Sequence, residues 1–419
     1  MNKLLLLSFV VLLLSSCEKK EGKSIAITNP SDINLTDKAV SINLKAVSPG
    51  FPILVTDTRD TIPSQLDDLD GDGIANELFL VIDLEANSVR NLNLTFSQTD
   101  PGYVIRTSLR AGKRDLEDTP VKPITQSTLL PGDIPGKLGY ISYQTDGPSF
   151  ENDLAGFRHY FDGRNSKDIF GKKVKTMAPE DVGIGANGIV EDNYHVMADW
   201  GRDILGTANA VGIGGINLML GDQLSRIGNI AGDSVTNIES STFNFYREGP
   251  VRSVMDIQHN NWKPLDRTYQ VNERIIIWPG MYAFQNNASF TGLQGDETLL
   301  VGIVNSASNN PLKEVLVNEK YVALISHDKQ TYDNTWWLGL AVILPRDVYL
   351  GWGEAPKEGI FSDSFYGKLK IEENKPVTYY SVGGWELSDE GFIDPDYFEA
   401  YVTDLANQLS VDVAIQVRE

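Results

Sequence analysis

Short runs that alternate apolar and polar residues, each bounded by turn residues, recur along most of the chain. Early examples are SIAIT at 24–28, FPILVTDT at 51–58 and ELFLVIDL at 77–84. Later examples are RTYQVNERIIIW at 267–278 and PVTYYSVGGW at 376–385. A period of two places successive side chains on opposite faces of a strand, as in half-buried antiparallel sheets. The pattern therefore predicts a mainly β fold built as sandwiches.

Changes in composition along the chain predict how these strands are divided into domains. Residues 112–138 are polar and contain several prolines, which is typical of a domain boundary. We therefore predict a small N-terminal β-sandwich over 25–125. It would be followed by a large antiparallel, supersandwich-like β-sandwich over 126–419, which would be the catalytic domain. Helices should be few and short, because only 193–206 and 396–410 look helical.

The first residues, 1–17, predict a lipoprotein signal peptide. The apolar run at 4–14 is too short to span a bilayer as a helix, and LSSC at 14–17 resembles a lipobox. Cys17 would be acylated, and the charged residues 18–24 would form a tether. The glutamate after this cysteine favours, by resemblance to lipoprotein sorting rules, the outer membrane of a Gram-negative bacterium. An ordinary signal peptide with an incidental cysteine is the alternative.

The chain carries a formal net charge of −21 and contains a single cysteine. Surfaces that bind nucleic acid are basic, so this balance argues against a nucleic-acid partner. One cysteine excludes disulfides and cysteine-ligated metal sites in the mature fold. No segment after the signal peptide is apolar and long enough to span a membrane, so we expect membrane contact only through the lipid anchor.

Residues 67–77 (DDLDGDGIANE) resemble a calcium-binding loop. Asp68, Asp70 and Asp72 supply carboxylates at alternate positions, and the glycine that follows permits a sharp turn. Asn76 stands at the ninth position, but the twelfth holds phenylalanine instead of the usual bidentate glutamate. Clustered carboxylates repel one another without a cation, so a structural calcium ion is predicted here. An acidic turn before the next strand is the alternative.

Positive charge accumulates between residues 155 and 175, where six basic residues accompany two acidic ones. In so acidic a chain, this window favours an anionic ligand. Arg158 can bind a carboxylate or a sulfate bidentately, and His159 and Tyr160 lie beside it in sequence. The alternative is a solvated loop whose basic side chains pair with the abundant acids. The six basic residues are Arg158, Arg164, Lys167, Lys172, Lys173 and Lys175.

The stretch NYHVMADWGRDILG, residues 193–206, combines one of the four histidines with aromatic and acidic residues. On a helix that begins near Tyr194, the side chains of His195, Asp199 and Asp203 share one face. A carboxylate one turn from an imidazole fixes its tautomer and raises its proton affinity. If the segment is extended instead, His195 and Asp199 still share a face. The alternative is a capped helix with a structural histidine.

Four motifs together resemble a known family. They are QLDDLDGDG-x-x-x-EL at 65–78, END-x-x-x-FR-x-Y at 151–160, DIFGKK at 168–173 and YH-x-x-x-DWG-x-D at 194–203. This family consists of secreted or lipid-anchored proteins of polysaccharide-utilisation systems and has long been labelled a domain of unknown function. It includes the ulvan oligosaccharide dehydratase. The resemblance extends from about residue 40 to residue 415, so it covers most of the mature chain.

The resemblance implies a reaction. The enzyme would remove water across C4–C5 of a non-reducing-end uronic acid in ulvan-type oligosaccharides and leave an unsaturated uronate. Such a hydro-lyase requires no cofactor for its chemistry. H5 becomes acidic once the adjacent carboxylate is neutralised, a base removes it, and an acid protonates the departing O4 hydroxyl. The partner would be an anionic oligosaccharide.

Residue types within the motifs suit these roles. We assign His195 as the base, oriented by Asp199. Tyr160 or Tyr194 would be the acid, and Arg158 would neutralise the carboxylate. Where the family has methionine after Asp-Trp-Gly, this chain has arginine, which would tune substrate choice. The expected substrate-binding residues are Glu151, Asn152, His159, Trp200 and Arg202.

Two other functions use the same residues. A non-catalytic glycan-binding lipoprotein would need the basic and aromatic side chains but no pair of residues for proton transfer. A polysaccharide lyase would perform the same β-elimination but would expel a sugar instead of water. The three functions therefore differ in their products.

Overall fold

The computed structural model describes residues 22–418 except 46, 48–49, 57, 135–141, 231–232 and 234. The predicted signal peptide, Cys17 and residues 18–21 of the predicted tether lie outside this range. Within it the protein is mainly β, which confirms the prediction from the alternating runs.

The described residues form 29 strands, named here in chain order. The first seven are β1 Lys23–Thr28, β2 Leu35–Asn43, β3 Phe51–Thr56, β4 Thr61–Ile62, β5 Ser64–Asp67, β6 Glu77–Leu84 and β7 Val89–Ser97. The next ten are β8 Thr107–Arg110, β9 Gly112–Lys113, β10 Lys122–Pro123, β11 Gln126–Leu129, β12 Ser149–Asn152, β13 Gly156–His159, β14 Lys167–Lys172, β15 Gly201–Asp203, β16 Ile213–Leu220 and β17 Gln223–Leu224. The last twelve are β18 Ser240–Arg247, β19 Ser253–Trp262, β20 Tyr269–Ile277, β21 Ala283–Thr291, β22 Glu297–Val304, β23 Lys313–Leu316, β24 Tyr321–Asp328, β25 Leu338–Pro345, β26 Tyr349–Glu354, β27 Ser364–Lys370, β28 Val377–Trp385 and β29 Ala414–Arg418.

Two sheets form the N-terminal sandwich. A five-stranded sheet runs in the order β29-β1-β7-β3-β4, and a three-stranded sheet runs β2-β6-β5. Each strand turns one row of apolar side chains inward, so the two sheets enclose their own core. Members of this core from both sheets include Ile25, Leu54, Leu80 and Leu92.

The large sandwich contains a nine-stranded sheet with the order β11-β18-β19-β20-β21-β28-β25-β24-β23. Two five-stranded sheets, β15-β14-β13-β12-β8 and β17-β16-β22-β27-β26, pack against it around one large apolar core. A bridge between Lys167 and Gly212 links these two smaller sheets. The ring of Phe284 on β21 packs edge-on against Phe150 on β12 at 5.1 Å, which marks the contact between the layers. A separate two-stranded sheet pairs β10 with β9.

Strand pairing moves the boundaries that the sequence predicts for the two sandwiches. β1 begins at Lys23, so the last two residues of the predicted tether, 18–24, belong to a sheet. β8 pairs with β12 of the large sandwich, although it falls within the predicted 25–125 domain. β29 pairs with β1, so the end of the predicted 126–419 domain completes the N-terminal sheet. Alternation marks a strand but does not identify its partner.

One α-helix, α1 Pro395–Ser410, is found among the described residues, and it confirms the prediction for 396–410. Asp394 caps it by accepting a hydrogen bond from the backbone N–H of Asp396 at 2.9 Å. Its apolar face packs on the nine-stranded sheet, where a Cβ at Gly339 would lie 2.5 Å from the Phe398 ring. In the part of the chain that the structure describes, no helix has the length and apolar character needed to cross a membrane.

The predicted helix over 193–206 is wrong. Its first residues form a single 3-10 turn, Asn193–His195, and the chain is extended again at Val196. The segment then enters β15, where Gly201 has φ +138°. A Cβ at Gly201 would lie 1.8 Å from the Gly171 carbonyl oxygen, so close pairing with β14 requires glycine here. Pairing with a distant strand therefore replaces the local helix. Other 3-10 turns are Pro131–Asp133, Gln144–Asp146, Arg346–Val348 and Glu390–Ile393.

Candidate active site

Strands β12, β13 and β14 are largely buried on both faces, so alternate residues point to opposite sides. The side that we call the inner face points to the nine-stranded sheet, where the Phe157 ring lies 4.8 Å from that of Phe284. The opposite side, the outer face, is covered by the segment 173–200, where the Tyr194 ring packs edge-on against Phe170 at 5.9 Å. The residues predicted to be catalytic lie on or above the outer face.

Arg158 occupies the centre of the outer face and is fully buried. Its Nη2 donates to Oδ2 of Asp168 and, at 2.7 Å, to Oδ2 of Asp203. Nη2 also donates to the Tyr160 hydroxyl at 2.6 Å. Burial acts to lower the pKa of Arg158, but Tyr160 and the two carboxylates hold it well above its usual value. The guanidinium of Arg158 is thus enclosed and already paired, and its predicted contact with a substrate carboxylate stays a prediction.

Three of the other five basic residues of the window 155–175 are also paired with acids. The remaining two, Lys173 and Lys175, are exposed. The predicted basic loop is thus mostly buried strand, with its charges neutralised by acids. Lys167 finds its partner 106 positions away, which no local window can reveal. The three remaining ion pairs are Arg164 with Asp162 at 2.7 Å, Lys167 with Glu273 at 2.6 Å and Lys172 with Glu151 at 2.6 Å.

His195 lies at the surface above this group, with its side chain 45% exposed. Its Nδ1 is 3.6 Å from Oδ2 of Asp203, which is buried and also bonded to Arg158. Burial, followed by the positive charge of Arg158, lowers the pKa of His195 below its usual value. Asp199, predicted to orient this histidine from a helix, is exposed instead. The carboxylate behind His195 is therefore Asp203, because β15 and not a helix presents it.

Carboxyl groups beneath His195 hold protons unusually well. Burial, followed by the charge of Asp168, raises the pKa of Asp203 to about 8. Burial also raises the pKa of Asp146 to about 6, although Nη1 of Arg158 lies 3.8 Å from this carboxylate. Strongly shifted pKa values of this kind concentrate at sites of proton transfer.

The two tyrosines predicted as acids are buried. The Tyr160 hydroxyl donates to Oδ2 of Asp168 at 2.9 Å, and the Tyr194 hydroxyl donates to Oδ1 of Asp192 at 3.1 Å. Burial raises the pKa of both phenols. With 7% and 2% of their surfaces exposed, neither Tyr160 nor Tyr194 presents its hydroxyl to a ligand in this arrangement.

Tyr332, which sequence reasoning misses, contributes an exposed phenol beside His195. Its side chain is 42% exposed, and its ring centroid lies 5.9 Å from that of the imidazole. Its hydroxyl donates to the backbone carbonyl of His195 at 3.1 Å. The two residues are 137 positions apart in the chain. The only signal that could have indicated this loop is the concentration of aromatic residues in TYDNTWW at 331–337.

Arg202 and Trp200 extend the aromatic surroundings of His195. The Arg202 guanidinium lies 4.7 Å from the centre of the Tyr332 ring and 5.3 Å from that of Trp336. Nη1 of Arg202 is 3.4 Å from the Asp333 carboxylate, which is a long contact for an ion pair. The half-buried Trp200 ring packs edge-on against Phe170 on the outer face. The rings of Tyr194 and Tyr332 border the imidazole at 4.7 and 5.9 Å, and Arg202 lies against the Tyr332 ring.

A small cavity of about 20 Å³, room for about one water molecule, opens on the same outer face. Glu151 lines it and pairs with Lys172 at 2.6 Å and with Arg110 at 3.3 Å. Trp200 and Phe170 form part of its apolar wall. Of the predicted substrate-binding residues, Glu151 and Trp200 border this cavity, while Arg202 belongs to the surroundings of His195.

Asn152 and His159, also predicted to bind substrate, are buried. The Asn152 amide donates to the backbone carbonyls of Trp278 and Met281, both at 2.8 Å, and so joins β12 to the segment after β20. His159 lies on the inner face, with its ring 6.2 Å from that of His259. Strand alternation turns these two residues away from the outer face, and their role in substrate binding stays a prediction.

The acidic loop at 67–77 brings three carboxylates close together. One carboxylate oxygen from each of Asp68, Asp70 and Asp72 lies within 4.8 Å of the others. Backbone N–H groups of Gly71 and Gly73 donate to Asp68 at 2.8 and 2.9 Å and fold the loop around the acids. These three residues can hold a metal ion. A calcium ligand at Asn76 stays a prediction.

The fold and the site together define a class of protein: a mainly β protein of two sandwiches with a surface histidine above a buried group of carboxyls. Residues 27–415 match the domain of unknown function DUF4861, so the chain belongs to that family. This confirms the resemblance to a domain-of-unknown-function family that the motifs indicate. The link to the ulvan oligosaccharide dehydratase stays a prediction. A search of curated proteins found no match.

Two solved structures resemble the chain at a distance. One is an alpha-mannosidase from Enterococcus faecalis V583, with a TM-score of 0.47, 10% sequence identity and coverage of 95% of this chain and 46% of that chain. The other is a protein in the glycosyl hydrolase family 38 from Enterococcus faecalis, with a TM-score of 0.49, 10% identity and coverage of 95% and 48%. The chain thus spans less than half of each, and no activity follows from a likeness this distant.

Proposed function

We propose that the protein is a carbohydrate-active hydro-lyase that removes water across C4–C5 of a non-reducing-end uronic acid in ulvan-type oligosaccharides. The observation that carries this proposal is the exposed imidazole of His195, whose Nδ1 lies 3.6 Å from a buried carboxylate of Asp203. A histidine backed by a fixed carboxylate is suited to general acid–base chemistry. The substrate class rests on the motifs shared with the family.

His195 would act as the base. Its lowered pKa favours the neutral imidazole near neutral pH, which is the form that accepts a proton. With Nδ1 directed to Asp203, Nε2 would take H5 from the sugar. The electron pair of the C5–H bond then forms the C4=C5 bond, while the C4–O4 bond breaks. In its ionised form, which its pKa of about 8 makes the minor form at neutral pH, Asp203 would stabilise the imidazolium that results.

Tyr332 would supply the proton that O4 needs to leave as water. This assignment replaces Tyr160 and Tyr194, because both of their hydroxyls are buried. The Tyr332 phenol is exposed, and its hydroxyl donates to the His195 carbonyl, so it lies on the same side of the site. On binding, the substrate O4 would replace that carbonyl as its acceptor.

Arg202 would neutralise the uronate carboxylate in place of Arg158. Its charge contributes to the lowered pKa of His195, so it acts on the same site. Arg202 is itself only 7% exposed, but its partner Asp333, at 3.4 Å, has a side chain that is 30% exposed, so the uronate would displace Asp333 to reach the guanidinium. A cation there would stabilise the negative charge that grows as H5 leaves. The resemblance implies methionine at this position in the family, so the assignment also predicts that the substrate preference of this chain differs from that of its relatives.

Incubation with saturated uronyl-rhamnose oligosaccharides tests the proposal against its two rivals. A dehydratase gives a product that is lighter by one water, unchanged in length and able to absorb in the ultraviolet as a conjugated enoate. A polysaccharide lyase shortens the chain instead, and a binding protein retains the oligosaccharide unaltered. Mass spectrometry with absorbance distinguishes the three, and either of the last two results would overturn the proposal.

We also propose that the protein is lipid-anchored to the outer membrane through Cys17. The lipobox and the absence of other cysteines support this proposal. A Cys17→Ser variant should move from the membrane fraction to the soluble fraction, as measured by immunoblotting. A matched Ser16→Ala variant keeps the cysteine and should stay with the membrane. Equal recovery of Cys17→Ser and wild type in the membrane fraction would contradict the anchor.

A further inference from the structure

The inner face carries a second polar group that the proposed reaction does not use. Lys167 on β14, Glu273 on β20 and Asn286 on β21 meet between the two layers of the large sandwich. Their exposures are 0%, 2% and 0%. An amine, a carboxyl and an amide are thus enclosed together in an apolar core, away from any ligand.

One oxygen atom organises this group. Oε2 of Glu273 accepts from Nζ of Lys167 at 2.6 Å and from Nδ2 of Asn286, also at 2.6 Å. The hydroxyl of Tyr379 accepts from the same Nδ2 at 2.7 Å and donates to the Gly214 carbonyl at 2.7 Å. The amide orientation is therefore fixed, and the amine and the amide lie on either side of a single carboxyl oxygen.

We propose that Lys167 and Asn286 become joined by an intramolecular isopeptide bond, with Glu273 as the general acid and base. The Nζ of neutral Lys167 attacks Cγ of Asn286. Glu273 takes a proton from the attacking nitrogen and returns one to Nδ2. The Nζ–Cγ bond forms, the Cγ–Nδ2 bond breaks, and one ammonia leaves. No oxidant or other reactant is needed.

Burial favours this reaction because a charged pair in an apolar interior is costly. Transfer of a proton from Lys167 to Glu273 converts the ion pair into an amine and a carboxylic acid, which are the nucleophile and the acid that the reaction needs. Holding reacting groups together is equivalent to an effective concentration of about 10⁵–10⁸ M. The opposing tendency comes from neighbouring groups. Burial acts to raise the pKa of Glu273, but Lys167, His259 and His159 together lower it, which favours the unreacted ion pair.

The outer face provides a matched control. Lys172 pairs with Glu151 at 2.6 Å, and both side chains are buried, so this pair reproduces the amine and the carboxyl of the inner face. The second acceptor of its Nζ is the backbone carbonyl of Asn152, at 2.6 Å. The side-chain amide of Asn152 donates elsewhere, to Trp278 and Met281. Lys172 therefore has the ion pair without an amide bonded to the same carboxylate, and no cross-link is expected there.

Mass spectrometry of the full purified chain under denaturing conditions tests the proposal. The wild type should be lighter by one ammonia than the mass calculated for its processed form, with the signal peptide removed and the lipid on Cys17 included. Proteolysis should yield a branched peptide in which fragmentation places the bond between Lys167 and Asn286. Lys167→Arg, Glu273→Gln and Asn286→Ala should each restore the full mass and release linear peptides. Lys172→Arg should keep the deficit.

The melting temperature gives a second readout of the cross-link. A covalent bond between β14 and β21 restricts the unfolded chain, so the three inner-face variants should melt at lower temperature than Lys172→Arg. Linear wild-type peptides that contain unmodified Lys167 and Asn286 would overturn the proposal, whatever the variants do. An ammonia deficit that fragmentation places at another asparagine or at the N-terminus would overturn it as well.

Discussion

The inner and outer faces of β13 and β14 carry similar groups of buried charges but differ in their access to solvent. On the inner face, Lys167 and Glu273 are enclosed between two sheets. On the outer face, Arg158 and Asp203 are equally buried, but Asp203 lies next to His195, whose side chain is 45% exposed. Consecutive residues of β14, such as Lys167 and Asp168, therefore lie in two different environments, one sealed and one next to a solvent-exposed side chain.

This difference sets what each group can do. A sealed group of charges can react only with its own members, because no ligand reaches it. A buried group in contact with an exposed imidazole can pass a proton to or from a bound molecule. Strand alternation thus keeps the proposed cross-linking reaction of the inner face apart from the proposed dehydration at the outer face, although neighbouring residues of β14 belong to the two groups of charges.

The largest expected effect, on kcat, comes from replacing His195, the exposed residue next to the buried carboxyls of the outer face. His195→Ala should lower kcat by about 10²- to 10⁴-fold and change KM little, because proton transfer matters in the transition state. Steady-state kinetics with the uronyl oligosaccharide measures both constants. Asp199→Asn is the control, since this exposed carboxylate should not matter. A folded His195→Ala enzyme with wild-type turnover would contradict the role of His195.

The next largest effect concerns stability. Arg158→Met leaves Asp168 and Asp203 buried without their cation, so the free energy of unfolding should fall by about 3–5 kcal/mol. Urea denaturation followed by circular dichroism measures the change. Lys175→Met removes an exposed charge of the same sequence window and should stay within about 0.5 kcal/mol of wild type. A similar loss in both variants would show that burial does not distinguish them.

The sequence predicts the periodic parts of this molecule and misses the long-range partners. Alternation identifies the strands, and the period of α1 identifies the helix at 396–410, because both patterns are local. The spacing of His195 and Asp199 has the same helical period, yet pairing of Gly201 with β14 makes the segment extended. Local spacing gives a correct prediction only where no distant strand competes.

The site residues show the same limit. Arg158 is conspicuous in sequence, but its partner Asp203 lies 45 positions away, and this ion pair turns a supposed ligand-binding side chain into an internal one. Tyr332 lies 137 positions from His195, so no spacing could have brought it to notice. A local excess of positive charge cannot predict a surface patch when the neutralising acids come from other strands.

A smaller effect is expected in the pH dependence of stability. The folded pKa of Asp203, about 8, lies above the usual 3.8, so the native state holds a proton that the unfolded state releases. Stability from this group is complete below pH 3.8 and is lost as the pH rises through about 8. Urea denaturation at several pH values should show this fall.

Asp203→Asn isolates that contribution. Asp146, with a pKa of about 6, adds a slope of the same sign at lower pH. His195 has its pKa lowered from 6.5 and contributes the opposite sign below that value. The interval from pH 6.5 to 8 therefore reports mainly on Asp203, and the variant should be flatter than wild type there. Parallel curves would contradict a proton held at this carboxyl.

The smallest expected effect lies far from both faces. Calcium bound at Asp68, Asp70 and Asp72 would stabilise the folded chain by about 2.7 kcal/mol at a free concentration 100 times its dissociation constant. Calorimetry in calcium and in chelator measures the change in melting temperature. Asp70→Asn should abolish it and leave kcat unaltered. Identical melting curves for wild type in the two buffers would count against the site.

The pairing of β29 with β1 has a consequence for how the chain is made. β1 is synthesised long before β29, yet they are neighbours in one sheet. Until β29 is available, the first sheet keeps an unpaired edge, and such edges recruit other strands. Protection from mispairing should therefore matter most for the N-terminal sandwich. This domain cannot be completed before the large sandwich has been synthesised.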